Sequence, residues 1–273
     1  MSVSIGFVGG GNMASAMIGG LLGKGFGPGQ LQVVELSEEA RARLQREFAV
    51  DARPALDSAF VTCDCIVLAT KPQQLHEAAR GLAPLLHHQL LISIAAGIRT
   101  HDLMRWLDGY GRIVRAMPNT PALVGFGMTA LYATASVNAS ERNLAESILS
   151  AVGETLWLVD ESAMDGVTAI SGSGPAYVFY FIEALEGAAR QQGFDPAAAR
   201  QLTLQTVLGA ARLAADSLEE AAMLRARVTS KGGTTERAIQ YFEAAGLKDI
   251  VARAVLAATE RSRELGDELG HRD

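Results

Sequence analysis

The chain has 273 residues, 49% of them hydrophobic and 6% aromatic, with a formal net charge of −6. That length predicts about two domains. The acidic balance argues against a nucleic-acid backbone as partner, and no charge-free stretch of ~20 apolar residues is present to span a membrane. Cys63 and Cys65 are the only cysteines, too few and too close for a disulfide framework or a zinc site. A strand starts at once, with no cationic segment or cleavage site ahead of it, so a cytoplasmic protein is expected.

Ser4–Val8 is a short apolar run with strand character. Gly9-Gly10-Gly11-Asn12-Met13-Ala14 follows and fits G-x-G-x-x-G/A, and a helical pattern runs from Met13 to Leu22. Strand before and helix after make this a dinucleotide loop, with the pyrophosphate seated on the helix N-terminus against Gly9, Gly10, Gly11, Asn12 and Met13. Leu31–Glu35 reads as a second strand and Glu38–Phe48 as a helix. Glu35 stands ~20 residues past the glycines, where an acid hydrogen-bonds the ribose 2′-hydroxyl of NAD and repels the 2′-phosphate of NADP. Arg41 and Arg43 lie on the next helix, in principle within reach of a phosphate.

Cys65–Ala69 is a continuous apolar strand, as a buried parallel sheet requires. Ala69, Thr70, Lys71 and Pro72 close it. Lys71 suits a phosphate or ribose, and Pro72 begins a helix. Leu90–Ile94 is the next strand. Ala95, Ala96 and Gly97 after it are small enough to let a cofactor lie close. Arg112–Ala116 precedes a proline-flanked loop in which Asn119 offers a donor and an acceptor, which suits a nicotinamide carboxamide. Met128–Tyr132 and Thr155–Val159 extend the sheet, with a helix over Ser140–Ser150 and Ser140 as its cap. This is a doubly wound α/β domain of Rossmann type, expected over residues 1–161.

The pattern changes near Glu161, and an all-helical domain is expected over residues 162–273. Pro175–Gln191, Pro196–Ser217, Leu218–Val228, Thr234–Ala244 and Gly246–Leu269 read as helices. The first two are apolar on most of their surface, so a subunit partner is expected. Ser171-Gly172-Ser173-Gly174-Pro175-Ala176-Tyr177 reads as a hydroxyl-glycine turn opening the first of them. A second such segment, Ser230-Lys231-Gly232-Gly233-Thr234-Thr235, leads into a later helix. There φ > 0 at Gly232 and Gly233 lets successive N–H groups converge on a small anion, and the helix adds its positive end. The two segments together read as walls of a small polar pocket at the domain boundary. Candidate binders of a small acid are Ser173, Ser230, Gly233, Thr234 and Thr235. Ordinary turns and helix caps are the alternative use of these residues.

The five histidines lie outside every glycine-hydroxyl motif. No H-E-x-x-H or carboxylate cluster suggests a metal, and no G-x-S-x-G elbow suggests hydrolysis. A dinucleotide site without an acid/base histidine suits a reaction in which the cofactor does most of the chemistry.

Phe7–Ala14, Lys71-Pro72-Gln73, Met117-Pro118-Asn119-Thr120-Pro121, SGSGPAY from Ser171 and GGTT from Gly232 occur in that order. In these elements the chain closely resembles the pyrroline-5-carboxylate reductase family over essentially its whole length. The resemblance implies reduction of the cyclic imine 1-pyrroline-5-carboxylate to L-proline by NADP(H) or NAD(H), the last step of proline biosynthesis. It also implies a homodimer through the helical domain, with five dimers in a decamer, and Thr235 placing its hydroxyl against the ring nitrogen. Two positions depart from the family. Lys231 stands where proline is frequent, and Glu35-Leu36 where polar or basic residues are common, which bears on the usual NADP preference. A β-hydroxyacid dehydrogenase shares the glycine loop, but its acid/base lysine has no counterpart in Pro175–Gln191. A redox-sensing regulator needs a DNA-binding module that this acidic chain does not display.

Overall fold

A computed structural model describes residues 3–57 and 60–271. Packing divides the chain into two compact units, Met1–Ser173 with Ala258–Asp273, and Gly174–Ala257.

The first unit is an eight-stranded sheet with helices. In chain order it holds β1 (Ile5–Val8), α1 (Asn12–Gly23), β2 (Leu31–Val34), α2 (Glu38–Phe48), β3 (Asp51–Arg53), β4 (Cys65–Leu68), α3 (Pro72–Leu82), β5 (Leu90–Ser93), α4 (Thr100–Trp106), β6 (Ile113–Met117), β7 (Gly127–Ala133), α5 (Ala139–Leu149) and β8 (Gly153–Trp157). The strand order is β3-β2-β1-β4-β5-β6-β7-β8. Strands β1 to β6 are parallel, β7 runs antiparallel to β6, and β8 is parallel to β7. The reversal has a local cause. Only a loop with one 3₁₀ turn, Thr120–Val124, joins β6 to β7, which is too short for a parallel crossover. Strands β1, β4 and β5 are buried along their whole length, which is why they read as unbroken apolar runs. One core face gathers Phe7, Met17, Val33 and Val67; the other gathers Phe60, Leu68, Leu75 and Leu103. Each such side chain contributes about 1.5–3 kcal/mol on burial. The two cysteines are core residues, and burial pushes the Cys63 thiol up to about 11.

Two local expectations change. The three-residue β3 has no apolar run and passes unnoticed in the sequence. It is a charged edge strand, with Ala52 turned inward and Arg53 paired to Asp51 and Asp57 at 2.5 and 2.8 Å. Helix α5 is capped by Asn138, not Ser140. The Glu141 N–H donates to Asn138 Oδ1 at 3.0 Å and the Asn138 N–H to Glu141 Oε2 at 2.9 Å. That reciprocal box satisfies two backbone donors, and Ser140 lies inside the helix.

After β8 the chain becomes helical. A 3₁₀ turn leads into α6 (Met164–Val167), which continues as a π-helical turn over Thr168–Gly172. The Ser173 N–H donates to the Thr168 carbonyl at 2.8 Å, an i to i−5 bond. Of the Ser171–Tyr177 segment, expected as a turn into a helix, Ser171 and Gly172 thus belong to the π turn and Gly174 already opens the next helix.

The second unit holds α7 (Gly174–Gln191), α8 (Pro196–Ala215), α9 (Ala221–Arg227), α10 (Thr234–Ala244) and the first part of α11 (Leu247–Gly270). Helices α7 and α8 pack on each other. No residue of α7 is buried, and Phe179, Tyr180, Leu208 and Leu213 are 65–75% exposed in the single chain. A cluster of large apolar side chains in water marks an interaction surface. The protein is therefore expected to be a dimer or larger at micromolar concentration. Light scattering on a sizing column measures this, and a stable folded monomer would overturn it.

Candidate active site

The glycine loop is shaped by close backbone approach. Gly9 has φ +102°, and a Cβ there would lie 2.7 Å from the Ala69 carbonyl oxygen at the end of β4. Its N–H donates to Val34 O and the Ala69 N–H to Val8 O, both at 2.8 Å, so the loop is tied to β2 and β4. A Cβ on Gly11 would meet nothing within 4 Å, and no side chain caps α1. The first backbone bond into α1 is from the Ser15 N–H to Gly11 O at 2.9 Å, so the N–H groups before it face outward at the positive end of the helix.

Glu35 closes one side. Its carboxylate accepts the N–H groups of Gly10 and Ser37, each at 2.8 Å. Arg41 donates to the carbonyls of Glu35 and Leu36, and Arg43 to that of Gly10. Both arginines thus brace the loops around the glycines.

A cleft of about 580 Å³ lies at the carboxyl ends of β1, β2 and β4. Gly9, Gly11, Glu35, Ala69, Thr70 and Lys71 all line it. The Thr70 hydroxyl is buried with no hydrogen-bond partner, and Lys71 stands exposed at the uncapped start of α3, followed by Pro72. An orphaned hydroxyl, a free cation and an open helix start fit the diphosphate and ribose of a dinucleotide. Leu36, which the sequence singled out with Glu35, lines the cleft too, and sequence reading overlooked the wall formed by Pro54–Leu56. These residues follow the polar strand β3, which carries no apolar signal.

Two groups expected at the cofactor have other partners. Gly97 has φ +80° and packs against α11, where a Cβ on Gly266 would come 3.0 Å from the Gly97 carbonyl oxygen. Arg99 pairs with Asp267 at 2.6 Å and Arg105 donates to the Gly270 carbonyl, which fastens the helix there. The missing Cβ of Gly266 thus admits the contact, Gly97 serves it through its positive φ, and Ala95 is buried and Ala96 half-buried beside it. The amide of Asn119, expected at a carboxamide, is engaged within the protein. Its Nδ2 donates to the carbonyl and hydroxyl of Ser171 at 3.1 and 3.2 Å, and its Oδ1 accepts the Met128 N–H at 2.9 Å.

Ser173 ends the first unit, and the second unit carries Ser230, Gly233, Thr234 and Thr235. Gly232 has φ +74°, but Gly233 is extended, with φ −83° and ψ 171°, and precedes α10 as its cap. The Gly233 N–H is taken by the Ser230 carbonyl at 3.0 Å, and a Cβ at Gly233 would come 2.6 Å from Ser230 Oγ. The expected cradle is therefore shifted. Gly233 lends its bare Cα, and the open N–H groups are those ahead of the first helical bond, from Arg237 to Gly233 O at 3.2 Å. They belong to Thr234, Thr235 and Glu236. Thr235 sits inside the first turn and is not the cap. Glu236, which sequence reading overlooked, accepts the Gly232 N–H at 2.7 Å and so holds the left-handed residue in place.

His87, His88, His101 and His271 are exposed, and His76 packs edge-on to Trp106 at 5.1 Å between ring centres. Among the described residues no group of three His, Cys, Asp or Glu side chains converges on a point that could hold a metal ion.

Fold and cleft define an NAD(P)-dependent oxidoreductase. Residues 4–97 match the family model of the coenzyme F420-dependent NADP oxidoreductases, and residues 161–265 that of the pyrroline-5-carboxylate reductase dimerisation region. The pyrroline-5-carboxylate reductase of Pseudomonas aeruginosa is 46% identical over 97% of this chain and 98% of its own, and that of Haemophilus influenzae 41% identical over 96% and 97%. The Coxiella burnetii enzyme structure superposes with a TM-score of 0.91 at 40% identity, covering 97% of this chain and 99% of that one. The Plasmodium falciparum enzyme, solved with NADP bound, gives 0.86 at 30%, covering 97% and 98%. The chain belongs to the pyrroline-5-carboxylate reductase family. Its helical region is of the dimerisation type, and no helix among the described residues is long and apolar enough to cross a membrane.

Gly9→Ala adds a Cβ into the Ala69 carbonyl at a positive φ. It is expected to lower stability by about 2–5 kcal/mol, read by urea denaturation.

Proposed function

We propose that this chain reduces 1-pyrroline-5-carboxylate to L-proline with hydride from NADH or NADPH. The observation that carries this reading is 46% identity over 97% of this chain to a reductase of that name, beside an α10 start that no side chain caps. Residues 1–161 serve as the dinucleotide domain and 162–273 as the dimerisation and substrate domain, a division supported by a family model that begins at 161. The enzyme works as a homodimer in the cytoplasm, and resemblance to the family supports five dimers in a decamer.

A reduced nicotinamide bound in the first unit supplies the hydride. The residues of this chain bind and orient. Gly9 to Met13 face the pyrophosphate, Glu35 the adenosine ribose, and Ala69 to Pro72 the adjoining phosphate and ribose. Ala95 and Ala96 let the cofactor lie close after β5, and Gly97 packs behind them on α11. The N–H groups of Thr234 and Thr235 and the Ser230 hydroxyl hold the imine carboxylate, and Ser173 adds a further hydroxyl. The bare Cα of Gly233 keeps Ser230 Oγ close. The ring carbon accepts hydride best when its nitrogen is protonated. The Thr235 hydroxyl, one step into α10, faces that nitrogen as a donor or as a relay from water. Positioning two reactants supplies about 7–11 kcal/mol in favourable cases.

A steady-state assay with chemically prepared 1-pyrroline-5-carboxylate tests the reading. Turnover is expected, and folded protein inactive with both cofactors would overturn it. Thr235→Ala keeps the backbone donors and removes one hydroxyl, so kcat should fall ~10²–10⁴-fold. Ser230→Ala should raise KM with kcat nearly unchanged, as for uniform binding. A normal kcat in Thr235→Ala assigns protonation to solvent. Glu35→Ser removes a like charge from the 2′-phosphate and should move the NADPH:NADH ratio of kcat/KM upward roughly tenfold or more. An unmoved ratio would mean that Glu35 serves only the N–H groups of Gly10 and Ser37.

A further inference from the structure

Two motifs meet away from the nucleotide cleft. The loop after β6 carries Asn119, and the π-helical turn after α6 carries Ser171. Three of the four hydrogen-bonding positions of the Asn119 amide are used between them. Its Nδ2 reaches the Ser171 carbonyl at 3.1 Å and the Ser171 hydroxyl at 3.2 Å, while its Oδ1 takes the Met128 N–H at 2.9 Å. Asn119 is half-buried and held between Pro118 and the 3₁₀ turn that starts at Thr120. A Cβ at Gly172 would come 2.7 Å from Met117 Cε, so the π turn lies directly on the end of β6. A π turn strains the ladder of a helix and persists where outside contacts hold it. Asn119 supplies such a contact to a backbone carbonyl inside the turn. The next residue, Ser173, closes the turn with its own N–H on Thr168 O at 2.8 Å.

We propose that Asn119 is a positioning residue. It clamps the π turn over Thr168–Gly172 to the β6 and β7 strands and so fixes Ser173 for the imine substrate, without touching the nicotinamide. The link to substrate rests on the role of Ser173 proposed above; the clamp does not.

The test compares Asn119→Ala and Asn119→Asp with wild type. The Asp variant keeps the acceptor for Met128 N–H and removes both donors to Ser171. Hydrogen exchange of the 164–173 backbone reads the clamp. Titration with NADPH and with NADH reads cofactor binding, and steady-state kinetics read KM for 1-pyrroline-5-carboxylate. Both variants are expected to speed exchange at Ser173 and to raise KM roughly tenfold, the loss of a hydrogen bond or two. Kd for either nucleotide should stay within about twofold. Unchanged exchange overturns the clamp. A roughly tenfold weaker nucleotide Kd with unchanged KM makes Asn119 a cofactor ligand and overturns the proposal. If an Asn119 variant does not fold, Ser171→Ala removes only the hydroxyl contact. It should give the same pattern at smaller size, and no change in it overturns the proposal. Ser173→Ala separates the two readings. If it leaves KM unchanged while Asn119→Asp still speeds exchange, the clamp stands and the substrate role of Ser173 falls.

Discussion

The N–H groups at the start of every helix need acceptors, and this demand organises both halves of the molecule. Where a side chain meets it, the helix is closed. Ser37 does so for α2, Asn138 for α5 and Asp195 for α8. Where glycine precedes the helix, no side chain is there to do it. Helix α1 follows Gly11 and helix α10 follows Gly233, and neither has a side-chain cap. Both starts leave first-turn N–H groups open, as an anion site requires.

Glycine at these places also lets backbone pass close to backbone. Gly9 crosses the end of β4, and Gly233 lies against Ser230. The accompanying charges complete the loops. Glu35 and Glu236 each accept a glycine N–H, from Gly10 and Gly232, so a carboxylate holds each loop in shape beside the donors left open. Each loop is therefore held in shape by a resident acid, which does not consume the first-turn donors of the helix that follows.

A largely buried ion pair joins the interior strand β6 to the start of the helical region. Arg115 on β6 pairs with Glu161 at 2.8 Å, and Glu161 also accepts the N–H and hydroxyl of Thr100 at the head of α4. Arg115 is 5% exposed. Removing one partner of such a pair costs about 3–5 kcal/mol, because the other charge stays buried. The same region receives the end of α11, through Ser262 to Asp165 at 2.7 Å and Arg99 to Asp267. The dimerisation region thus begins and ends on residues locked to the nucleotide-binding unit, while its middle helices keep apolar faces for a partner.

The sequence by itself determined the fold class, the strands β1, β2 and β4 to β8 and the helices α1, α2, α5 and α7 to α11 within a few residues, and the two glycine segments. These are local properties. An apolar run, a helical period or paired glycines carry their meaning within about ten residues. It also implied that the helices need a partner, since they are apolar on more surface than one chain covers. Tertiary structure alone decided the rest. Strand β3 exists because β2 offers it an edge, not because Asp51-Ala52-Arg53 favours a strand. Gly97 turns through a positive φ onto the remote helix α11, whose Gly266 admits the contact, and Asn119 spends its amide on Ser171 and Met128. The Gly233 N–H goes to Ser230, so the open donors lie one residue further on. In each case the partner is remote in sequence or the outcome is a competition for one hydrogen bond, and residue type specifies what a group can do but not which neighbour reaches it first.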